Sequence, residues 1–119
     1  KIAILGWAFK ANTNDSRESP AIYVAEKLFK SGAILDIYDP MVSKEAIFRD
    51  IEFYWKASKK HGLTSQISVL EPMGKLDLNY DATAILTEWE EFETFDFSKT
   101  LVFDGRGILS SSNYSIGKG

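Results

Sequence analysis

The sequence contains no cysteine, a single histidine and only three prolines in 119 residues. The missing cysteine excludes disulfides, thiolate metal sites and a thiol nucleophile within this chain. No apolar run approaches the ~20 residues that span a bilayer. An excess of positive charge is also lacking: 14 basic residues face 17 acidic ones, for a net charge of −3. Without a basic stripe there is no footprint for nucleic acid. The eight glycines include no G-x-G-x-x-G turn after a strand, the arrangement that cradles a dinucleotide pyrophosphate.

What is present fits one compact domain. Hydrophobic residues make up 45% and charged residues 26% of the chain, the mix of a globular fold with its own core. The most informative stretch is Lys1 to Pro20, KIAILGWAFKANTNDSRESP. Ile2 to Leu5 are wholly apolar and half β-branched, the pattern of a strand buried on both faces. Gly6 ends the run. A polar loop follows, carrying Lys10, Thr13, Asn14, Asp15 and Arg17. Ser19-Pro20 then reads as an N-cap and first position of a helix. A donor-rich loop between a strand's C-terminal end and a helix N-terminus is where open α/β sheets bind ligands, anions above all. Asp15 and Arg17 have two readings, a ligand contact or a pair bracing the loop. Lys10, behind Trp7, Ala8 and Phe9, is read either as an anion ligand or as a solvated lysine.

Ala21 to Lys30 has apolar residues at helical spacing, and Ser31-Gly32 stops it. Ala33 to Tyr38 reads as a second strand closed by Asp39-Pro40. Strand, helix and strand with short links make a βαβ unit with parallel strands. An acidic residue here, Asp36 or Asp39, would bind an NAD ribose only beside the glycine turn that is lacking; Asp39-Pro40 therefore reads as a strand-ending turn. Ser43 to Lys60 reads as a helix whose Ile47, Phe48, Ile51, Tyr54 and Trp55 face the core, with Lys56, Lys59 and Lys60 suited to its C-terminal dipole. His61 stands at that end, without an obvious catalytic partner. Ile67 to Leu70 fits an edge strand, and Met73 to Tyr80 a loop or single turn.

Asp81 to Glu88 reads as another buried strand, followed by a short helix with Glu88, Glu90, Glu91 and Glu93 as an exposed, charged first turn. Leu101 to Asp104 reads as the last strand, and Gly105 lets the chain turn so that Arg106 can be aimed. A guanidinium fork matches phosphate oxygens; a surface pair with Asp104 is the alternative. From about residue 110 the Ser/Gly-rich chain reads as a tail. The chain opens at Lys1 directly in a strand and is expected to be a piece of a longer polypeptide. The fold class expected is α/β, a Rossmann-like doubly wound, mostly parallel sheet with helices on both faces. Lys10, Glu88-Trp89 and Arg106 all follow strands, so a parallel sheet brings them to one edge, where two cations beside a helix N-terminus suit a diphosphate.

The run G-W-A-F-K-A-N-T-N-D-S-R-E-S-P (residues 6–20) resembles the signature that opens the C-terminal UDP-binding domain of the UDP-glucose and related UDP-sugar 6-dehydrogenases, G-x-A-F-K-x-x-T-x-D-x-R-x-S-P. Tyr38-Asp39-Pro40, Thr87-Glu88-Trp89 with Glu91 and Phe92, and Phe103-Asp104-Gly105-Arg106 resemble further motifs of that family; residues 43–80 match faintly. The resemblance implies that Phe9, Lys10, Arg106 and Trp89 bind the UDP-sugar and that Thr13, Asp15 and Arg17 brace the loop. It implies an oxidation of the sugar C6 hydroxyl to a carboxylate in the whole enzyme. NAD would then be bound by an N-terminal domain outside this chain, with a central dimerisation domain, a catalytic cysteine outside this chain, a homo-oligomeric assembly and a cytoplasmic location. UDP-glucose is the expected substrate, UDP-N-acetylhexosamines the alternative, and a non-catalytic nucleotide-binding module the alternative class.

Overall fold

The computed structural model describes residues 1–55, 63–70, 78–108 and 114–115. Strand β1 (Ile2–Leu5) leads through the polar loop into α1 (Pro20–Lys30), then β2 (Leu35–Tyr38) and α2 (Lys44–Tyr54). A single turn, α3 (Leu63–Gln66), precedes β3 (Ile67–Val69), β4 (Ala82–Ile85), a 3-10 turn (Glu90–Thr94), β5 (Leu101–Asp104) and β6 (Tyr114–Ser115). The sheet has six strands in the order β3-β2-β1-β4-β5-β6, and the pairs are all parallel. The chain builds outward from β1 to β3, then returns to the other side of β1. That reversal between β1 and β4 is the topological switch point of a doubly wound sheet, where a crevice opens at the strands' C-terminal ends.

Local chemistry explains the boundaries. Ser19 caps α1, its Oγ accepting the Ala21 N–H at 3.2 Å, with Pro20 next in line. At the other end Gly32 N–H reaches Phe29 O and Ala33 N–H reaches Leu28 O, the paired bonds of a Schellman cap. Ala33 spends its N–H on that cap, so β2 starts at Leu35 rather than at Ala33. Helix α2 is capped by Ser43 and ends at Tyr54, short of the expected Lys60. Trp55 leaves helical backbone there and buries its indole, donating Nε1–H to Ile22 O of α1 at 2.9 Å and packing on Phe29. Burial of a large aromatic outweighs one more helical turn. Lys56, Lys59, Lys60, His61 and residues 71–77 lie outside the described residues. The charged turn after β4 is 3-10 rather than α-helical. The expected tail also carries structure, since Tyr114 and Ser115 pair in parallel with Phe103 and Asp104.

Strand registers sort the core. Ile4, Ile37, Ala84 and Phe103 lie side by side, as do Leu5, Tyr38, Ile85 and Asp104 on the opposite face. α1 covers the first face, with α2 packed beside it through Trp55. The second face takes the 3-10 turn, where Phe92 and Phe95 pack against the Tyr38 ring. The Tyr38 hydroxyl donates to Glu91 at 2.6 Å, and burial together with that carboxylate pushes its ionisation upward.

One side chain ties the strand ends together. Asp39, only 4% exposed, leaves β2 and turns its carboxylate back toward β1. Its Oδ2 accepts from Trp7 N–H (2.7 Å), Ala8 N–H (2.9 Å) and the Trp89 indole N–H (3.1 Å). Its Oδ1 accepts from the N–H groups of Met41 (2.8 Å) and Val42 (3.0 Å). The segments after β1, β2 and β4 therefore share one buried anion. Asp39→Asn keeps the size but turns an acceptor into a donor facing N–H groups. It should destabilise the fold by about 3 kcal/mol or more, since each stranded buried donor costs ~1–3 kcal/mol. Urea unfolding of wild type and variant measures this, and an unchanged midpoint would contradict the assignment.

Candidate functional site

A cleft of about 640 Å³ opens at the C-terminal ends of β1, β4 and β5, lined by Phe9, Lys10, Pro20, Glu88, Phe103 and Arg106 among others. It sits at the switch point, against the N-terminal end of α1. Phe9, Lys10 and Arg106 thus meet in one cavity, although they lie nearly a hundred positions apart in the chain. The helix adds its field rather than free donors, because Ser19 already takes the Ala21 and Ile22 N–H groups.

The β1 loop is built to hold its shape. Gly6 has φ +101°, and a Cβ there would lie 2.5 Å from the Thr87 side chain. Only glycine allows β1 and β4 to approach this closely. Thr87 Oγ1 donates to Ala8 O at 2.8 Å across that contact. Trp7 is fully buried, and its indole N–H donates to Asp50 of α2 at 3.0 Å, where Ser16 Oγ also donates. Phe9 N–H donates to Asp15 O at 2.7 Å, and Thr13 Oγ1 accepts the Asp15 N–H. Asp15 and Arg17 form a two-bond pair, Nε to Oδ1 and Nη2 to Oδ2, each 3.0 Å. The hydrogen bonds from Arg17 hold the Asp15 carboxyl down at about 2. Arg17 itself stays 85% exposed. Two non-glycine residues of this loop, Asn12 and Glu18, have positive φ of 67° and 51°, a strained backbone of the kind that collects at ligand loops.

The two cations differ. Lys10 is exposed and has no ion-pair partner among the described residues. Arg106 is anchored: its Nε donates to Leu86 O at 3.0 Å and its Nη2 to Phe9 O at 2.7 Å. Its Nη1 faces Glu88 at 3.6 Å. The guanidinium thus clips the exits of β1 and β4 to that of β5. Asp104, fully buried, sets this up by accepting the backbone N–H groups of Arg106, Gly107 and Ile108 on Oδ1. Gly105 crosses β4 so closely that a Cβ would stand 3.0 Å from Ile85 O. Close approach, more than a sharp turn, explains a glycine here.

Phe9 is 48% exposed and lines the cleft. Trp89 lies elsewhere: it is buried, and its indole N–H points to Asp39. Glu88, expected at the strand-end edge as well as in a charged first turn, lines the cleft. Two residues of the site carried little signal. Asp50 occupies an ordinary polar position on a helix. Asp39 looked like a turn residue, and the direction of its carboxylate is tertiary information.

The same geometry tests whether NAD fits this crevice. In a dinucleotide fold the first strand-to-helix turn offers its N–H groups to the pyrophosphate. Here those of Trp7 and Ala8 are taken by Asp39, and Trp7 stands directly after Gly6 in place of a glycine-rich turn. The residues present do not fit NAD.

Comparison with known proteins agrees with this architecture. Residues 3–111 match the family model of the UDP-glucose/GDP-mannose dehydrogenase family, UDP binding domain. The chain is 38% identical to UDP-glucose 6-dehydrogenase 1 of Arabidopsis thaliana and 41% identical to UDP-glucose 6-dehydrogenase 1 of Glycine max, with 99% of this chain and 30% of each relative covered. A UDP-glucose dehydrogenase structure from the hyperthermophilic archaeon Pyrobaculum islandicum superposes with a TM-score of 0.66 at 27% identity, over 98% of this chain and 24% of that one. The chain thus spans about 30% of the length of the curated relatives it matches. Fold, cleft and family match together establish that the chain belongs to the UDP-glucose/GDP-mannose dehydrogenase family and corresponds to its UDP binding domain.

Proposed function

We propose that the cleft at the β1–β4 switch point holds the UDP part of UDP-glucose, within an NAD-dependent 6-dehydrogenase that oxidises UDP-glucose to UDP-glucuronate. The observation that carries this reading is the convergence of Lys10, Arg106 and the exposed Phe9 ring in one cleft beside the start of α1. Lys10 supplies a mobile ammonium for the diphosphate. Arg106 supplies a guanidinium already fixed by two carbonyls, so little side-chain entropy remains to be lost when a phosphate arrives. Phe9 offers a flat apolar face for the base or a sugar. Trp89 acts one step back, by holding Asp39 and with it the β1 loop. Asp15, Arg17 and Thr13 keep that loop in shape.

Oxidation chemistry falls to other parts of the polypeptide. With no cysteine in this chain, a thiol nucleophile must come from outside it, and the β1 exit leaves no place for NAD. The partners expected are an NAD-binding domain, a central dimerisation domain and a second subunit, in a cytoplasmic enzyme. Calorimetric titration of the full-length protein with UDP tests the binding role. Lys10→Ala and Arg106→Ala, checked for fold by circular dichroism, should each weaken UDP binding about tenfold or more, because a charge-assisted hydrogen bond contributes ~1.5–3 kcal/mol. Unchanged affinity in both folded variants would overturn the reading.

A further inference from the structure

The cleft contains a carboxylate that an anion site does not obviously need. Glu88 follows β4 and lines the same cavity as Lys10 and Arg106. Its Oε1 is sealed from solvent, has no hydrogen-bond partner among the described residues, and lies 3.6 Å from Arg106 Nη1. That nitrogen matters, since Nε and Nη2 are committed to the Leu86 and Phe9 carbonyls. Nη1 is the guanidinium nitrogen with no carbonyl partner among the described residues, and Glu88 stands on it. The contact is longer than a hydrogen bond, so the pair is held by charge alone.

We propose that Glu88 is a place-holder anion, which occupies the phosphate-facing nitrogen of Arg106 in the empty cleft and is displaced when a nucleoside diphosphate binds. This rests on the reading of the cleft as a diphosphate site. A desolvated carboxylate oxygen without a donor is a poor resting arrangement, yet it is better than leaving the guanidinium edge unpaired. An arriving phosphate replaces this loose contact with charge-assisted hydrogen bonds and returns Glu88 to water. The consequence is a threshold that every anion meets alike. Every anion must first displace Glu88, so a small inorganic anion pays that penalty with few contacts to offset it. A ligand that also lies against Phe9 does so with many. Glu88 therefore sets anion affinity through Arg106, as a positioning residue rather than a catalytic one.

The test is titration of the full-length protein with UDP and with inorganic pyrophosphate, at low and at moderate salt. Glu88→Gln keeps the shape and removes the charge, and should bind both ligands about fivefold tighter, a gain that shrinks as salt rises. Glu90→Gln, on the 3-10 turn outside the cleft, changes net charge equally and should change neither affinity. In an Arg106→Ala background the gain from Glu88→Gln should vanish, because the two residues are coupled. Three results would overturn the proposal: unchanged or weaker binding of both ligands in Glu88→Gln, a loss confined to UDP, or a gain that persists without Arg106. A wild-type protein that binds neither UDP nor pyrophosphate would instead overturn the underlying reading of the cleft.

Discussion

The buried Asp39 carboxylate is the interaction on which the rest of this structure depends. It gathers N–H groups from the exits of β1 and β2 and from the Trp89 indole after β4. A buried charge is tolerated only when its lone pairs are filled, and here both oxygens are. The filling has a structural effect, because the three segments cannot move apart without stranding a charge. The N-terminal part of the cleft loop is thus fixed from beneath, independently of what the loop binds.

Arg106 fixes it from above. Two of its nitrogens hold the carbonyls of Phe9 and Leu86, and Asp104 holds the backbone that presents it. The two braces have opposite charge and separate roles. Asp39 takes the N–H groups at the β1 exit that a dinucleotide fold offers to its phosphates. Arg106 and Lys10 move the positive surface sideways, to the crevice between β1, β4 and β5. On the proposed reading, the same sheet topology serves an anion site displaced from the usual glycine turn.

Much of this was legible in the sequence where the signal is local. The apolar run Ile2–Leu5, the Ser19-Pro20 cap and the Gly32 stop depend on neighbouring residues only, and they define the first βαβ unit. Parallel strands follow from it, and with them the gathering of Phe9, Lys10 and Arg106 at one edge. What sequence reading could not reach depends on partners distant in the chain. Helix α2 ends early because Trp55 finds a carbonyl in α1. Tyr114–Ser115 is a strand because β5 offers it an edge, which Ser/Gly composition does not announce. Glu88 was expected at the same edge as Arg106, but its approach to that guanidinium depends on side-chain directions that the sequence does not carry. Trp89 was expected at the UDP-sugar, and the direction of its indole N–H, to Asp39, is likewise tertiary information.

The central claim is that the diphosphate lies in the switch-point crevice, while Asp39 keeps the β1 exit closed. A crystal structure of the full-length protein with UDP tests it most directly. The account predicts phosphate oxygens within hydrogen-bond distance of Lys10 Nζ and Arg106 Nη1, with the Trp7 and Ala8 N–H groups still on Asp39. Phosphates seated on those two N–H groups, with Asp39 turned away, would contradict it.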